Sequence, residues 1–422
     1  MRQIDRFLMV YLRYYHRRHM RFDDALEALQ PPETPILLYI HIPFCEFLCP
    51  FCSFHRVKFD PERATKYFQA LHQELTVYQQ RGFRFSAVYV GGGTPTVALN
   101  PLCDLLQDLR QRHPIAEISV ETNPNHLDTD KVTQLVQAGV TRLSVGVQSL
   151  DNELLDEMER RQAYGSRDDI MSALQRIQGQ VNTFNVDMMF NFPRQGQASI
   201  EHDIELLKHI GVDQISYYPL MPALSTAHAM SKSVGLVSFE RERQLYKAIV
   251  QQLSPDYRRS TAWCFSRGET AVVDEYIVDF DQYLGLGSGA FSYLNGAMYS
   301  STFSINQYLR RVNQDMPGIT AQRRLSKKEN AQYTFLMKLF AMRLPKQYLQ
   351  QHYGQDYRHL LQKEMLFFKL IGAVSEDDKA FFLTEHGAYY WVLMMREFFM
   401  GVNTLRDNMR KNIREESIKV EK

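Results

Sequence analysis

The segment YIHIPFCEFLCPFCSF, residues 39–54, decides the fold of this chain and much of its chemistry. Its first residues are aromatic and β-branched, a composition typical of a strand. The strand leads directly into Cys45, Cys49 and Cys52, which have the spacing CxxxCxxC. The chain has 5 cysteines in 422 residues. Three cysteines so close together in the sequence indicate metal binding in a reducing compartment and argue against a disulfide framework.

The residues beyond this segment predict repeated units of a strand followed by a helix. The predicted strands lie at 35–42, 86–92, 117–123, 142–149, 184–190 and 214–220. Helical periodicity between them is clearest at 62–80 and 198–210. This alternation predicts a parallel sheet covered by helices, and the right-handed crossover rule favours a barrel-like arrangement. Because the distinctive motifs follow the strands, we expect them to meet at one mouth, the catalytic face of a barrel.

We therefore expect an α/β protein with a partial (β/α)6 TIM-like barrel and a smaller C-terminal helical domain of winged-helix-like type. The sequence pattern predicts five regions. They are an N-terminal helical extension (1–34), the core barrel (35–225), a region that completes the barrel on the substrate side (226–318), the C-terminal helical domain (319–404) and a charged tail (405–422).

The charges of the chain are nearly balanced, with 49 Lys and Arg residues against 48 Asp and Glu residues. A formal net charge of +1 gives no overall field for nucleic acid, so we expect no nucleic-acid partner. We find no transmembrane run and no signal-peptide pattern, and we expect a cytoplasmic protein. The basic, aromatic N-terminal helix is expected to pack on the main domain, with contact to a membrane surface as the alternative.

The cysteine triad suits an iron–sulfur cluster with one open coordination position. Such clusters usually take four thiolates, and this segment supplies three, which leaves one iron free for a chelating cofactor. Cys103 and Cys264 lie in apolar contexts, and we expect them to be buried structural residues. Two alternatives stay open: a Cys3His zinc site that recruits His41 or His55, and a redox pair in CPFC, residues 49–52. Shielding from water is expected from the aromatic residues Phe44, Phe47, Phe51 and Phe54.

Four motifs, in this order and each at a predicted strand, resemble those of one known family. They are YIHIPFCEFLCPFCSF (39–54), YVGGGTPT (89–96), VETNPN (120–125) and RLSVGVQS (142–149). They are similar to the motifs of the radical SAM family of oxygen-independent coproporphyrinogen III oxidase (HemN) and its relative, the heme chaperone HemW. The resemblance runs from about residue 36 to 296, with a weaker similarity in FLTEHGAYYW (382–391). It implies a barrel of the radical SAM type.

The resemblance also implies the cofactors and the reaction. Cys45, Cys49 and Cys52 would hold a [4Fe–4S] cluster, and the protein would bind one or two molecules of S-adenosylmethionine (SAM). SAM would chelate the open iron, and one electron would cleave its sulfonium to give methionine and a 5′-deoxyadenosyl radical. That radical would abstract a hydrogen atom from the substrate, while the protein positions the cofactors and excludes water. A flavodoxin or ferredoxin is implied as electron donor.

Matching the motifs residue by residue implies further cofactor contacts. Gly92, Gly93 and Thr94, with Gly91 before them, would let the backbone approach SAM closely and would offer N–H groups to its carboxylate. Glu121 would bind the ribose or the amine of SAM. The other implied positions are Tyr39, Phe51, Gln148, Arg160, Asp187, Met221 and Phe291, and more weakly Ala290. Gln148 and Arg160 match positions that face a second SAM, with Arg161 as the alternative register.

The chain departs from both of these relatives. Phe54 stands where the oxidase has a further cysteine. DEYIVDFDQYLGLG (274–287) replaces a stretch characteristic of the chaperone, and Asn191 replaces a glycine found in both. These departures indicate a divergent branch with its own substrate.

Three functions fit the resemblance. The leading expectation is a coproporphyrinogen III oxidase-like oxidoreductase that acts on a tetrapyrrole or another large organic substrate, in porphyrin and heme biosynthesis. A HemN-like radical SAM methyltransferase and a heme chaperone are the alternatives. Candidate cations for substrate propionates are Arg258, Arg259 and Arg267, and candidate axial heme ligands are His55, His228 and Tyr276.

Overall fold

The computed structural model describes residues 3–268 and 276–411. The strands are β1 (Ile36–Ile42), β2 (Phe44–Cys45), β3 (Val57–Lys58), β4 (Phe85–Gly92), β5 (Glu117–Thr122), β6 (Arg142–Gln148), β7 (Thr183–Phe190), β8 (Gln214–Pro219), β9 (Arg258–Arg259), β10 (Cys264–Ser266), β11 (Tyr283–Leu286), β12 (Phe291–Leu294), β13 (Ala297–Ser301), β14 (Ile319–Arg324), β15 (Arg343–Pro345), β16 (Val374–Glu376) and β17 (Ala380–Leu383).

The α-helices connect and cover these strands. They are α1 (Gln3–His19), α2 (Pro61–Gln80), α3 (Leu99–Arg112), α4 (Thr129–Gln137), α5 (Asn152–Glu157), α6 (Arg161–Tyr164), α7 (Arg167–Ile177), α8 (Gln197–Ile210), α9 (Ala227–Ser233), α10 (Glu242–Leu253), α11 (Tyr276–Asp279), α12 (Ile305–Val312), α13 (Lys327–Phe340), α14 (Lys346–Tyr353), α15 (Tyr357–Leu360), α16 (Gln362–Leu370) and α17 (Glu385–Lys411).

A 12-stranded sheet carries the fold, in the order β14-β13-β12-β11-β1-β4-β5-β6-β7-β8-β10-β9. The strands from β11 to β8 in this order pair in parallel, and β12 and β10 continue the sheet antiparallel on either side. From β4 to β8 the order along the chain is also the order in space, with helices between the strands. The predicted α/β arrangement of strand–helix units is confirmed, and β11 adds a parallel neighbour to β1.

Helix α2 shows how the sequence fixes a helix on this sheet. The side chain of Asp60 accepts a hydrogen bond from the backbone N–H of Arg63 at 2.7 Å, and Pro61 begins the helix. Further along, the buried carboxylate of Glu74 accepts backbone N–H groups from Gly287 at 3.0 Å and Gly318 at 2.6 Å. Glu74 therefore fastens α2 to the segments that follow β11 and precede β14.

The C-terminal part is helical, with a small antiparallel sheet in the order β15-β17-β16. The predicted boundary between residues 318 and 319 assigns β14 to this part, but β14 pairs with β13 in the large sheet, for example Met298 with Arg323. The division into five regions stays a prediction.

Helix α17 continues past residue 404, where the charged tail was predicted to begin. Leu405, Arg406 and Asp407 are buried in the helix, so the prediction of a tail is wrong for residues 405–411. The physical reason is docking: Asn403 Nδ2 donates to Ser53 Oγ at 2.9 Å, and Asp407 accepts the backbone N–H of Ser225 at 3.1 Å. The remaining tail residues, 412–422, lie outside the described residues.

Asn191 shows how the chain accommodates the loss of a glycine. It follows β7 with a φ of +73°, in the left-handed region that most side chains avoid. Asparagine tolerates this region better than other non-glycine residues, so the replacement keeps the backbone path.

Helix α1 packs on α17, with Leu8 and Met9 buried. Phe7, Val10 and Tyr11 are exposed on α1. Contact of this surface with a membrane stays a prediction. Among the described residues, no helix has both the length and the apolar character needed to cross a bilayer.

Buried charges join α10 to α17. The Arg396 guanidinium, fully buried, donates to Glu242 Oε1 and to Glu397 Oε1, the latter at 2.9 Å. Tyr389 donates its hydroxyl to Glu242 at 2.8 Å, and Arg13 of α1 pairs with Glu397 at 2.7 Å. Because a buried charge is costly unless it is paired, each member of this network depends on the others.

We predict that Arg396→Ala lowers the free energy of unfolding by about 3–5 kcal/mol, because it leaves the buried carboxylate of Glu242 without a cation and Glu397 with Arg13 alone. Chemical denaturation of the variant beside the parent protein measures this change. The control is Lys363→Ala, at an exposed position of α16, for which we expect a change within about 0.5 kcal/mol. Equal stabilities of Arg396→Ala and the control would show that the network does not hold α17 in place.

Candidate functional site

A cavity of ≈ 400 Å³ lies at the carboxyl ends of the parallel strands. Aromatic and apolar side chains form much of its wall, as is usual for ligand sites. Except for Gly91 and Ala290, which do not line the cavity, the structure brings the predicted cluster and cofactor residues to it. They are Tyr39, Cys45, Cys49, Phe51, Cys52, Gly92, Gly93, Thr94, Glu121, Gln148, Arg160, Asp187, Met221 and Phe291. What each of them binds stays a prediction.

The three cysteines lie on one loop that leaves the end of β1. All are free thiols, with Cys45 and Cys49 buried and Cys52 half-buried. Arg56 closes the loop by donating from Nη2 to the carbonyl oxygens of Cys49 and Cys52, the latter at 3.0 Å. The side chain of Arg56 therefore holds the backbone of the loop in place.

Two polar side chains approach the thiols. Thr94 Oγ1 donates to Cys45 Sγ at 3.7 Å, and Arg160 Nη1 donates to Cys49 Sγ at 3.5 Å. Burial raises the pKa of Cys45 to about 12, so without a metal this thiol stays protonated at neutral pH. Metal binding would have to displace the proton, as it does at thiolate sites generally.

The donor set fits a [4Fe–4S] cluster better than a single metal ion. Within residues 3–268 and 276–411, no three His, Cys, Asp or Glu side chains come close enough to bind one ion. In a cluster each thiolate binds a different iron, so three separated thiols on one loop are what such a cluster needs. Three cysteines leave the fourth iron without a protein ligand.

The histidines nearest the loop are already engaged. His41 Nδ1 lies 2.9 Å from the hydroxyl of Tyr39, and its Nε2 lies 2.8 Å from the carbonyl oxygen of His55. Arg410 Nη2 lies 2.6 Å from His55 Nδ1, and since arginine only donates, the proton of His55 is on Nε2, 3.1 Å from Ser288 Oγ. Burial lowers the pKa of His41 to about 4 and that of His55 well below its usual value. Both imidazoles are neutral, which is the form that binds a metal. Their ring nitrogens are already used in hydrogen bonds within the protein, and this argues against either as a zinc or heme ligand.

The glycine run of β4 packs against the cysteine loop. A Cβ at Gly93 would lie 2.6 Å from the carbonyl oxygen of Phe44, and Gly92 has a φ of +115°. The backbone N–H groups of Gly93 and Thr94 donate to Ile42 at 2.8 Å and Phe44 at 2.7 Å. These N–H groups are therefore not available to a SAM carboxylate, contrary to the expectation, and the glycines instead allow close approach of two backbones.

Glu121 lies at the end of β5 with its carboxylate positioned by two donors. The backbone N–H of Gly92 donates to Oε2 at 3.1 Å, and the hydroxyl of Tyr89 donates to Oε1 at 3.0 Å. Tyr39 pairs with Tyr89 across the strands, and its ring stacks on that of Tyr276 with centroids 5.4 Å apart. Tyr276, a candidate heme ligand, is thus part of an aromatic wall of the cavity.

Asp187 and Gln148 face the cavity from the neighbouring strands. Asp187 accepts hydrogen bonds from Ser144 Oγ and Asn185 Nδ2, both at 2.8 Å. Gln148 has a φ of +76° at a shift in the pairing of β6 with β7. Such irregularities re-aim a side chain at the end of a strand.

Of the two adjacent arginines, Arg160 lines the cavity and Arg161 does not. Arg160 is buried, donates to Asn123 Oδ1 at 3.0 Å, and lies over the ring of Tyr164 at 4.1 Å. Arg161 forms an exposed ion pair elsewhere. Asn123 was missed as a site residue although it lies within the motif VETNPN, because an asparagine after a strand is also an ordinary turn residue.

Several other expectations need correction. Phe44 and Phe51 are buried, but Phe47 and Phe54 are 46% and 60% exposed and do not shield the thiols. The position of Phe47 and Phe54 near the cysteines in the sequence does not indicate how deeply their side chains are buried. His228 is exposed on α9 and does not line the cavity.

The candidate propionate cations also lie elsewhere. Arg258 and Arg259 form the edge strand β9 and Arg267 directly follows β10, and none of the three lines the cavity. The arginines that do line it are Arg56, Arg160, Arg323 and Arg406. The sequence pattern missed Arg56, Arg323 and Arg406, because arginine is ordinarily a surface residue and only packing reveals where it points.

Comparison with known proteins agrees with this geometry. Residues 39–207 match the sequence model of the Radical SAM superfamily. The heme chaperone HemW of Bacillus subtilis is 27% identical over 284 residues, which cover 64% of this chain and 74% of that protein. The oxygen-independent coproporphyrinogen III oxidase of Salmonella typhimurium is 28% identical over 323 residues, covering 69% of each chain.

Among solved structures, coproporphyrinogen III oxidase (HemN) from Escherichia coli superposes with a TM-score of 0.74. The superposition covers 90% of this chain and 95% of that chain at 21% identity, so it shows a shared fold. The cysteine loop and the parallel strands agree with the family match: residues 39–207 form a radical SAM domain, and the chain is similar to HemN and HemW.

Proposed function

We propose that this protein is a radical SAM enzyme that cleaves SAM reductively in the cavity and acts on a tetrapyrrole, as a coproporphyrinogen III oxidase-like oxidoreductase. The observation that carries the proposal is the placement of three free thiols at the mouth of the barrel, beside the carboxylate of Glu121 and the guanidinium of Arg160. A structural metal site would not need these ligand-binding groups around an open coordination position.

Cys45, Cys49 and Cys52 would hold the [4Fe–4S] cluster. With SAM bound, that group supplies the one-electron cleavage that yields 5′-deoxyadenosyl radical and methionine. Arg160 stabilises the thiolate of Cys49 by a charge-assisted hydrogen bond, and Arg56 holds the loop in place through backbone carbonyls.

Glu121 would position SAM. Its carboxylate already accepts hydrogen bonds from Tyr89 and from the backbone of Gly92, so it does not need to reorganise when a ribose hydroxyl or an amine arrives. Preorganised groups lower the cost of binding. Gln148 and Asp187, on the next strands, would contact a second SAM or the substrate.

The walls of the cavity suit a large apolar substrate. Tyr39, Tyr89 and Tyr276 stack on one another, and Phe398 and Phe399 of α17 line the cavity as well. Such walls exclude water from a reactive radical and match the face of a tetrapyrrole ring.

A heme-chaperone function is the second candidate, favoured by the similarity to HemW. The engaged nitrogens of His55 and the position of His228 outside the cavity weigh against it, since a heme bound in the cavity needs an available axial ligand there. We retain the methyltransferase as an outcome of product analysis.

We also propose a cytoplasmic location, with flavodoxin or ferredoxin as electron donor, because a reducing compartment keeps such thiols available.

We predict that Cys49→Ala loses the cluster, because a ligand thiolate is removed from the loop. Iron content and the broad absorption near about 400 nm of the anaerobically reconstituted protein measure this loss. Cys103→Ala is the matched control, since Cys103 is also buried but contacts Gln134 on the outer helices. A variant Cys49→Ala that keeps its iron and colour would refute the ligand assignment.

We predict that Glu121→Gln weakens SAM binding by about tenfold, since a hydrogen bond to a charged group is replaced by a neutral one. Anaerobic calorimetry measures the affinity, and 5′-deoxyadenosine formation measures cleavage. Glu117→Gln, at the other end of β5, should bind SAM like the parent protein.

Product analysis of the same samples separates the functions. 5′-Deoxyadenosine with a decarboxylated porphyrinogen supports the oxidase, and additional S-adenosylhomocysteine supports the methyltransferase. Tight heme binding without any cleavage of SAM would contradict both enzymatic functions.

A further inference from the structure

Arg406 of α17 is a buried cation in the cavity with unmet hydrogen-bonding capacity. It lines the cavity and is 4% exposed. Its Nε and Nη2 have no hydrogen-bond partner among the described residues. The nearest carboxylate is that of Asp407, whose Oδ1 lies 4.0 Å from Nε, beyond hydrogen-bonding distance, and whose Oδ2 is used by the backbone of Ser225. Leaving a buried guanidinium in this state is costly.

The other arginines of the cavity each donate to acceptors of the protein. Arg56 donates to backbone carbonyls of the cysteine loop, Arg160 to Asn123 and the carbonyl of Gly146, and Arg323 to Glu329. Arg56 and Arg160 each leave one buried donor, Nε, without a partner, whereas Arg406 leaves both Nε and Nη2 without one. A planar guanidinium with two adjacent free donors matches a carboxylate, which accepts both at once.

The backbone around Arg406 is held firmly. Asn403, one turn earlier, donates to Ser53 Oγ at 2.9 Å, and Arg410, one turn later, donates to His55 Nδ1 at 2.6 Å. Both contacts dock α17 on the segment that follows Cys52. These two contacts of α17 therefore fix the position of Arg406 in the cavity.

The surroundings of Arg406 indicate the rest of the ligand. Phe398, Phe399 and Val402, on the preceding turns of α17, line the same cavity. A ligand for this wall has an apolar, ring-like body and an anionic edge.

We propose that Arg406 anchors a carboxylate of the substrate, one of the propionates of a tetrapyrrole. This inference rests on the proposed function and adds the residue that selects an acidic substrate. It assigns to α17 the recognition that Arg258, Arg259 and Arg267 were expected to provide.

The test compares coproporphyrin III with its tetramethyl ester, which has the same ring and no charge. Each is titrated anaerobically into the reconstituted, SAM-loaded protein, and binding is followed by porphyrin fluorescence. We expect Arg406→Gln to bind the acid about 10- to 100-fold more weakly than the parent protein. Its affinity for the ester should not change. Arg358→Gln, at an exposed position of α15, is the control and should bind both as the parent does.

Thermal unfolding, iron content and 5′-deoxyadenosine formation without substrate are recorded for each variant. If Arg406→Gln does not fold, Arg406→Lys is tested in its place, because lysine keeps the positive charge but cannot donate two parallel hydrogen bonds. We then expect a smaller loss of affinity for the acid and an unchanged affinity for the ester. Acid affinity equal to that of the parent overturns the inference, as does an equal loss for acid and ester.

A change confined to the cluster or to SAM cleavage also overturns the inference, because Arg406 would then act on the cofactor. Failure of the parent protein to bind either porphyrin has a different meaning. The tetrapyrrole part of the proposed function then fails, and the assignment of Arg406 fails with it.

Discussion

Close contact between two backbones is the constraint on which the rest of the site depends. At Gly93 the chain approaches the carbonyl of Phe44 so closely that no side chain fits, and Thr94 donates its N–H to the same oxygen. These contacts set the cysteine loop against the end of β4, next to the carboxylate of Glu121. The thiols are thereby fixed relative to the barrel by the polypeptide alone, so the cysteine loop and the groups proposed to bind SAM share one rigid frame.

Positive charge is the second organising feature. Arg56 and Arg160 donate to the cysteine loop, and Arg410 donates from α17 to His55, which follows that loop. Thiolates in a buried site need such cations, because burial alone keeps Cys45 protonated. Helix α17 is held in turn by the buried charges around Arg396. Helix α17, distant in sequence, therefore contributes to the electrostatics of the cysteine loop.

Local sequence patterns were sufficient to predict the barrel and most of its mouth. Strand–helix alternation is a local signal, and the residues that the family resemblance implied, such as Glu121 and Asp187, do face one cavity. Contacts between distant segments were not predictable in this way. Arg406, the pairing of β14 with β13 and the engaged nitrogens of His55 depend on tertiary packing, and arginines chosen from loops, such as Arg258, lie at the sheet edge instead.

The central claim is that three cysteines hold a cluster whose remaining iron takes SAM. Electron–nuclear double resonance on the reduced, reconstituted protein tests this directly, with SAM labelled by oxygen-17 in its carboxylate. The account predicts an oxygen-17 coupling to the cluster that is present in the parent protein and absent without labelled SAM. A reduced cluster that shows no coupling to bound, labelled SAM would contradict it.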